Sequence, residues 1–153
     1  MQETNMVRNI AIIGHGNCGK TSLAEAMLFT AGKINRLGKV DEGHSAMDYE
    51  EEEIARQISI NTSFHNFSWK KHTVFLLDTP GDDNFLNETV FASHVCDSAL
   101  FTIGAVLGVK GQTIKFANII KEKNLPTVIA INKMDRERAD FKKTVNEIKE
   151  SLA

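Results

Sequence analysis

The octapeptide Gly14-His15-Gly16-Asn17-Cys18-Gly19-Lys20-Thr21 limits what this chain can fold into more than any other feature, because it satisfies G-x-x-x-x-G-K-[ST] at every fixed position. Its setting agrees with that pattern. The apolar run VRNIAII at 7–13 reads as a buried strand leading into it. Residues 21–31 read as a helix leaving it, with Leu23, Met27 and Thr30 on one side. Glycines between a strand and a helix let backbone N–H groups turn inward around a chain of phosphates, and the helix N-terminus adds the positive end of its dipole. In such a loop Lys20 neutralises the β and γ phosphates and the Thr21 hydroxyl ligates Mg2+, while Ser22 continues the phosphate contacts into the first helical turn.

Beyond this loop the pattern alternates. Residues 58–69 alternate apolar and polar, 73–77 (TVFLL) are continuously apolar, and the two predict adjacent strands. A helix is predicted over 85–95 and a strand over 98–105. The next helix spans 112–123 with Ile114, Ala117, Ile119 and Ile120 inward, and Pro126 introduces a strand over 127–131. The last segment, 140–152, has Phe141, Val145, Ile148 and Leu152 at helical spacing. Strands alternating with helices imply parallel βαβ units with right-handed crossovers. The expected class is therefore α/β, a three-layer P-loop nucleotide hydrolase fold with a mostly parallel sheet and helices on both faces. Ligands in such sheets sit at the carboxyl ends of the strands. The polar stretch 32–56, with the acidic run Glu50 to Glu53, is too long to be a simple connection and reads as a functional, mobile loop extending to residue 61.

Two more short motifs lie at predicted strand ends. Asp78-Thr79-Pro80-Gly81 follows TVFLL, which places Asp78 where a carboxylate holds magnesium through water and Gly81 where a backbone N–H meets a γ-phosphate. Asn132-Lys133-Met134-Asp135 follows the 127–131 strand. A carboxylate there accepts two hydrogen bonds from guanine N1–H and the 2-amino group, which adenine does not offer. Asp135 is thus the predicted base selector, with Asn132 bracing the phosphate loop and the Lys133 stem covering the base.

The set GHGNCGKTSL, DTPG and NKMD, together with LFTAG, GKVDEGHSAMDYEEEE, RQISI and NKMDRERADF, resembles the translational GTPases, and within them elongation factor G and its close relatives, including the ribosomal-protection proteins. The similarity runs from Arg8 to the final helix. It implies binding of GTP and GDP with Mg2+, GTP hydrolysis, and the ribosome as partner of the full-length protein. By position, Ser59 stands where the family has a threonine that reaches magnesium and the γ-phosphate, and Gln57 replaces a glycine. Asp82 stands where the family has a histidine that positions the attacking water. Lys20, Gly81 and Asp82 are the implied catalytic group, but a carboxylate beside a γ-phosphate adds negative charge where there is already much, so slower hydrolysis is expected. The family closes its site with a further strand and a Ser-Ala loop that contacts guanine O6. No such segment follows Asp135, so residues 1–153 are expected to be the N-terminal part of a GTPase domain from a longer, multidomain protein, missing its last strand.

Composition narrows the alternatives. A formal net charge of −2 gives no basis for direct DNA binding. No apolar run approaches the roughly 20 residues that span a bilayer, and the polar start lacks a signal sequence, so no membrane partner and a cytoplasmic location are expected. Cys18 and Cys96 form no CxxC pair, and His44, His65, His72 and His94 show no metal-like spacing. His15 reads as a spacer in the phosphate loop. Cys18 reads as loop packing, against a thiol made oxidisable by the helix N-terminus. Phe64, Phe67 and Trp69 read as core or edge packing. Three rivals stay open: a GTP-binding module with little or no hydrolysis because of Asp82, an ATPase or small-molecule kinase on the same loop, and a fragment without activity.

Overall fold

The computed structural model describes residues 4–38 and 59–152. Its core is a sheet in the order β2-β3-β1-β4-β5, built from β1 (Val7–Ile13), β2 (Ser63–Trp69), β3 (His72–Asp78), β4 (Ser98–Gly104) and β5 (Thr127–Asn132). β1 pairs in parallel with β3 and β4, β4 in parallel with β5, and only β2 runs antiparallel, against β3. Among the described residues four α-helices connect or follow these strands: α1 (Lys20–Thr30), α2 (Leu86–Val95), α3 (Gly111–Glu122) and α4 (Phe141–Leu152).

The apolar second half of β1, from Ile10 to Ile13, is covered on both faces. Ile12 packs with Ala24 and Leu28 of α1 and with Phe67, Val74 and Leu76 on one face. Ala11 and Ile13 face the other side, toward Ala92 of α2 and Phe116 and Ile120 of α3, with Ile148 and Leu152 of α4 packed against that cluster. Alternate side chains of a strand point to opposite faces, so an unbroken apolar run such as Ile10 to Ile13 marks a sheet layered between helices. This is the α/β architecture expected, with parallel strand ends gathered on one edge of the sheet. Among the described residues no helix is long and apolar enough to cross a membrane.

Helix faces depart from the periodic reading in an instructive way. α1 buries Lys20, Ala24, Glu25 and Leu28, leaving Leu23 and Met27 half-buried and Thr30 exposed. α3 buries Thr113, Phe116 and Ile120, while Ile114 faces outward. α4 buries Thr144, and Phe141 faces outward. Small or polar residues let these helices approach the sheet closely, and counting bulky apolar positions alone misses them. Phe67 joins the core, whereas Phe64 and Trp69 lie exposed at the β2 edge. At the opposite edge, Val128 and Ile129 of β5 are exposed, which is unusual for a Val-Ile-Ala-Ile run in a parallel sheet. The expectations about Gln57, the acidic run and most of the 32–61 loop concern positions 39–58, outside the described residues.

Candidate functional site

The three motifs meet at the carboxyl ends of β1, β3 and β5. Gly14 ends the β1 run, and a Cβ there would lie 2.9 Å from Cys18 Sγ and closer still to Thr102 O, so the loop leaves the strand through a space only glycine fits. Gly19 caps α1 with a left-handed backbone (φ 89), a conformation glycine adopts without penalty. The Lys20 Nζ, almost wholly buried, donates to His15 O at 3.2 Å across the loop it follows. Asn17 also has a positive φ of 60. Ser22 is exposed in the first turn of α1.

β3 delivers the second motif beside this loop. Asp78 is fully buried and lies in register with Ile12 of β1. Thr79, which sequence reasoning passed over, supplies the tie: its backbone N and its hydroxyl both donate to Ile12 O, at 3.3 and 2.8 Å. Gly81 then runs against the phosphate loop. A Cβ at Gly81 would stand 2.6 Å from Gly16 N and 2.7 Å from His15 C, and against Lys20 Nζ. The Thr21 and Ser59 hydroxyls approach to 3.4 Å although 38 residues separate them. Adjacent ligands of an octahedral Mg2+ at 2.0–2.1 Å stand about 3 Å apart, so this hydroxyl pair, with the buried Asp78 carboxylate nearby on β3, suits a hard, oxygen-seeking ion.

The third motif braces the first. Asn132 Nδ2 donates to Cys18 O at 3.0 Å and to Gly19 O at 3.3 Å. Lys133 takes a left-handed backbone (φ 60) and its stem passes the Gly19 position, Cε lying 3.7 Å from where a Cβ would be. A cavity of about 480 Å³ opens beside it, lined in part by Asn17, Gly104, Leu107, Lys133 and Arg136. Two carboxylates are not brought into this cluster. The Asp135 side chain is 77% exposed and faces Arg136 Nε at 3.6 Å. Asp82 Oδ1 accepts from the backbone N and the side-chain Nδ2 of its neighbour Asn84, at 2.9 and 2.8 Å, capping a short 3-10 turn, Asp83–Phe85. Asp83 in turn receives Lys115 of α3 at 2.5 Å.

His15 is more than a spacer. It is buried, and its Nδ1 meets Gly16 O at 2.6 Å, so the neutral ring carries its proton on Nδ1. Burial, aided by the positive charges of Lys20, Lys133 and Lys110 and opposed by the bond to Gly16, holds its pKa below the ordinary 6.5. Unfolded chains therefore protonate this histidine first as pH falls, and the stability it contributes is present above pH 6.5 and lost below it. Urea midpoints measured at descending pH should fall more steeply for wild type than for His15→Gln; parallel curves would refute this. Burial also pushes the Cys18 thiol up, which fits loop packing and disfavours a reactive thiolate.

With this geometry in place, similarity to known proteins becomes informative. The elongation factor Tu GTP binding domain family matches residues 5–153. The chain is 41% identical over 97% of its length to the mitochondrial ribosome-releasing factor 2 of Yarrowia lipolytica, and 39% identical over 97% to that of Drosophila melanogaster. It spans only 19% and 20% of those two proteins. A solved structure from Thermus thermophilus superposes with a TM-score of 0.91 at 31% identity, over 96% of this chain and 22% of that one. The cytoplasmic expectation is overturned here, since both relatives are named as mitochondrial. That expectation rested on the lack of a secretory signal and of a membrane-spanning run, neither of which distinguishes cytoplasm from mitochondria.

Proposed function

The chain belongs to the elongation factor Tu GTP binding domain family, and on that premise we propose that it is the guanine-nucleotide switch of an elongation-factor-G-like factor, binding GTP and hydrolysing it to GDP and phosphate. One observation carries the reading: the Asn132 amide bonds two carbonyls of the phosphate loop while Gly81 abuts the same loop from the other side. Phosphate, its associated ion and base sites are thereby held in one frame.

Within that frame, backbone N–H groups from Gly14 to Gly19, with Ser22 at the rim, surround the phosphates, and Lys20 places its charge between them and Gly81. Gly81 offers its N–H to the γ-phosphate, and the close phosphate loop (Gly16 N, His15 C) leaves no room for a side chain there. Asn132, Lys133 and Asp135 take the guanine, the last by turning from Arg136 to the base. Mg2+ would be held by Thr21, Ser59 and, through water, Asp78; when bound it neutralises charge on the phosphate oxygens. The proposal extends to the whole protein: residues 1–153 as the N-terminal part of its GTPase domain, the ribosome as its partner, and mitochondria as its place, by analogy with the relatives' names. The exposed Val128 and Ile129 of β5 support a further covering segment in that larger protein.

A second reading has its own support. Asp82 is occupied by its turn and Asp83 by Lys115, so the position that should manage the attacking water is committed elsewhere. A GTP-binding module with very slow hydrolysis is the alternative. An ATPase is disfavoured by Asp135.

Competition of GDP against ADP for a fluorescent guanine nucleotide, with and without magnesium, tests the central assignment. GDP should win by tenfold or more, about 1.4 kcal/mol, and Asp135→Ala should bring the two nucleotides close to parity. Equal competition by ADP in wild type would overturn the role of Asp135, as would an Asp135→Ala chain that keeps the full preference.

A further inference from the structure

A residue outside every motif holds the wall behind the phosphate loop. The 105–110 segment between β4 and α3 passes close to both nucleotide motifs: Ala105 N donates to Asn132 O at 2.8 Å, and a Cβ on the preceding Gly104 would lie 3.8 Å from Cys18 Cα. Val106 and Leu107 carry this segment into the cavity shared with Asn17 and Lys133. α4 anchors it from outside. The Thr144 hydroxyl and the Asp140 N both approach Ala105 O, at 3.4 and 3.5 Å, and Val109 N donates to Glu147 Oε2 at 3.0 Å. Gly108 has φ 62, and a Cβ there would lie 3.0 Å from Glu147 Cδ and nearer still to Oε2. The carboxylate therefore sits in the space a side chain at 108 would need.

We infer that Glu147 is a positioning residue for guanine-nucleotide binding, fixing the 105–110 segment against the phosphate loop and the Asn132–Lys133 backbone. It reaches the nucleotide only through that segment, and the inference rests on the nucleotide site proposed above. The fold itself has little need of a glutamate here. The side chain is 32% exposed, its pairing with Lys143 is long at 3.9 Å, and alanine is a better helix former. A charged acceptor on a backbone N–H, next to a left-handed glycine, has more effect on where the loop sits than on whether α4 forms.

The test is titration of the full chain with fluorescent GDP, in wild type, Glu147→Ala, Glu147→Gln and Lys143→Ala, alongside thermal midpoints without nucleotide. Glu147→Ala should weaken GDP binding about five- to tenfold with its nucleotide-free midpoint nearly unchanged. Glu147→Gln, whose amide oxygen still accepts from Val109, and Lys143→Ala should each stay within about twofold of wild type. Glu147→Ala binding as tightly as wild type would overturn the inference. So would a large drop in its nucleotide-free midpoint, which would make Glu147 a residue of the fold, or Glu147→Gln failing as badly as Glu147→Ala. A wild type with no preference for GDP over ADP sinks the nucleotide reading first and this inference with it.

Discussion

Lys20→Ala should abolish nucleotide-induced stabilisation. At GDP concentrations 100 times the dissociation constant, a ligand that binds only the folded state adds about 2.7 kcal/mol, which for a domain of this size raises the melting temperature by about 5–10 °C. In the variant that rise should vanish, because Lys20 is the cation placed between the phosphate loop and Gly81, its Nζ held by His15 O at 3.2 Å. Charge-assisted bonds to phosphate in a water-poor site are strong, and losing them costs about 4 kcal/mol, or about a thousandfold in affinity. The variant's own stability should change little in the same experiment. A buried ammonium is itself costly to desolvate, so removing it offsets part of the packing lost with its stem. That separates a binding defect from a folding one. A Lys20→Ala chain that GDP still stabilises by several degrees would show that phosphate is held elsewhere, and the reading of the loop would fall.

How much of this was legible in the sequence depends on the range of the interaction concerned. Gly14, Gly19, Lys20 and Thr21 act within one turn of chain, so their spacing alone announces a strand-loop-helix cradle, and the structure has it. Asp78 and Asn132 were legible because each ends an apolar strand, and parallel pairing brings strand ends together. Thr79 and Glu147 were not. Their significance is a contact across 67 residues in one case and 38 in the other, with Ile12 O and Val109 N, and neither backbone partner has any signature in sequence. Glu25 is a similar omission: a buried glutamate inside α1 that accepts from Gly38 N at 3.2 Å. The helix faces were legible only in part, for a related reason: Ala117, Ile119, Ile120, Ile148 and Leu152 do pack inward, but Ile114 and Phe141 do not. Periodicity weighs apolar bulk, whereas Ala24, Thr113 and Thr144 are buried because they are small enough to let helices close on the sheet.

The same limit governs Asp82, where position pointed to chemistry and geometry points to a cap. The resemblance to the family puts it where a water-positioning histidine is expected, yet its Oδ1 is shared between two donors of Asn84 and its backbone is that of an N-cap (φ −92, ψ 141). A carboxylate so engaged is a weak acceptor for a water proton, and its charge opposes the charge that develops on a phosphoryl group. Asp82→His should therefore accelerate single-turnover GTP hydrolysis by about tenfold to a hundredfold, at most the lower bound of what a well-positioned proton acceptor supplies. The cap lost in that change costs about 1 kcal/mol of local stability, so the gain in rate should accompany a slightly lower melting temperature. Asp82→Asn separates the two causes. It keeps a side-chain oxygen for the Asn84 donors but removes the charge, so a partial gain there assigns the obstacle to electrostatics. If Asp82→Asn matches wild type while Asp82→His is faster, the missing acceptor is the obstacle. If neither variant exceeds wild type, residue 82 does not limit hydrolysis, and the anchoring of Asp83 by Lys115 becomes the constraint on the loop.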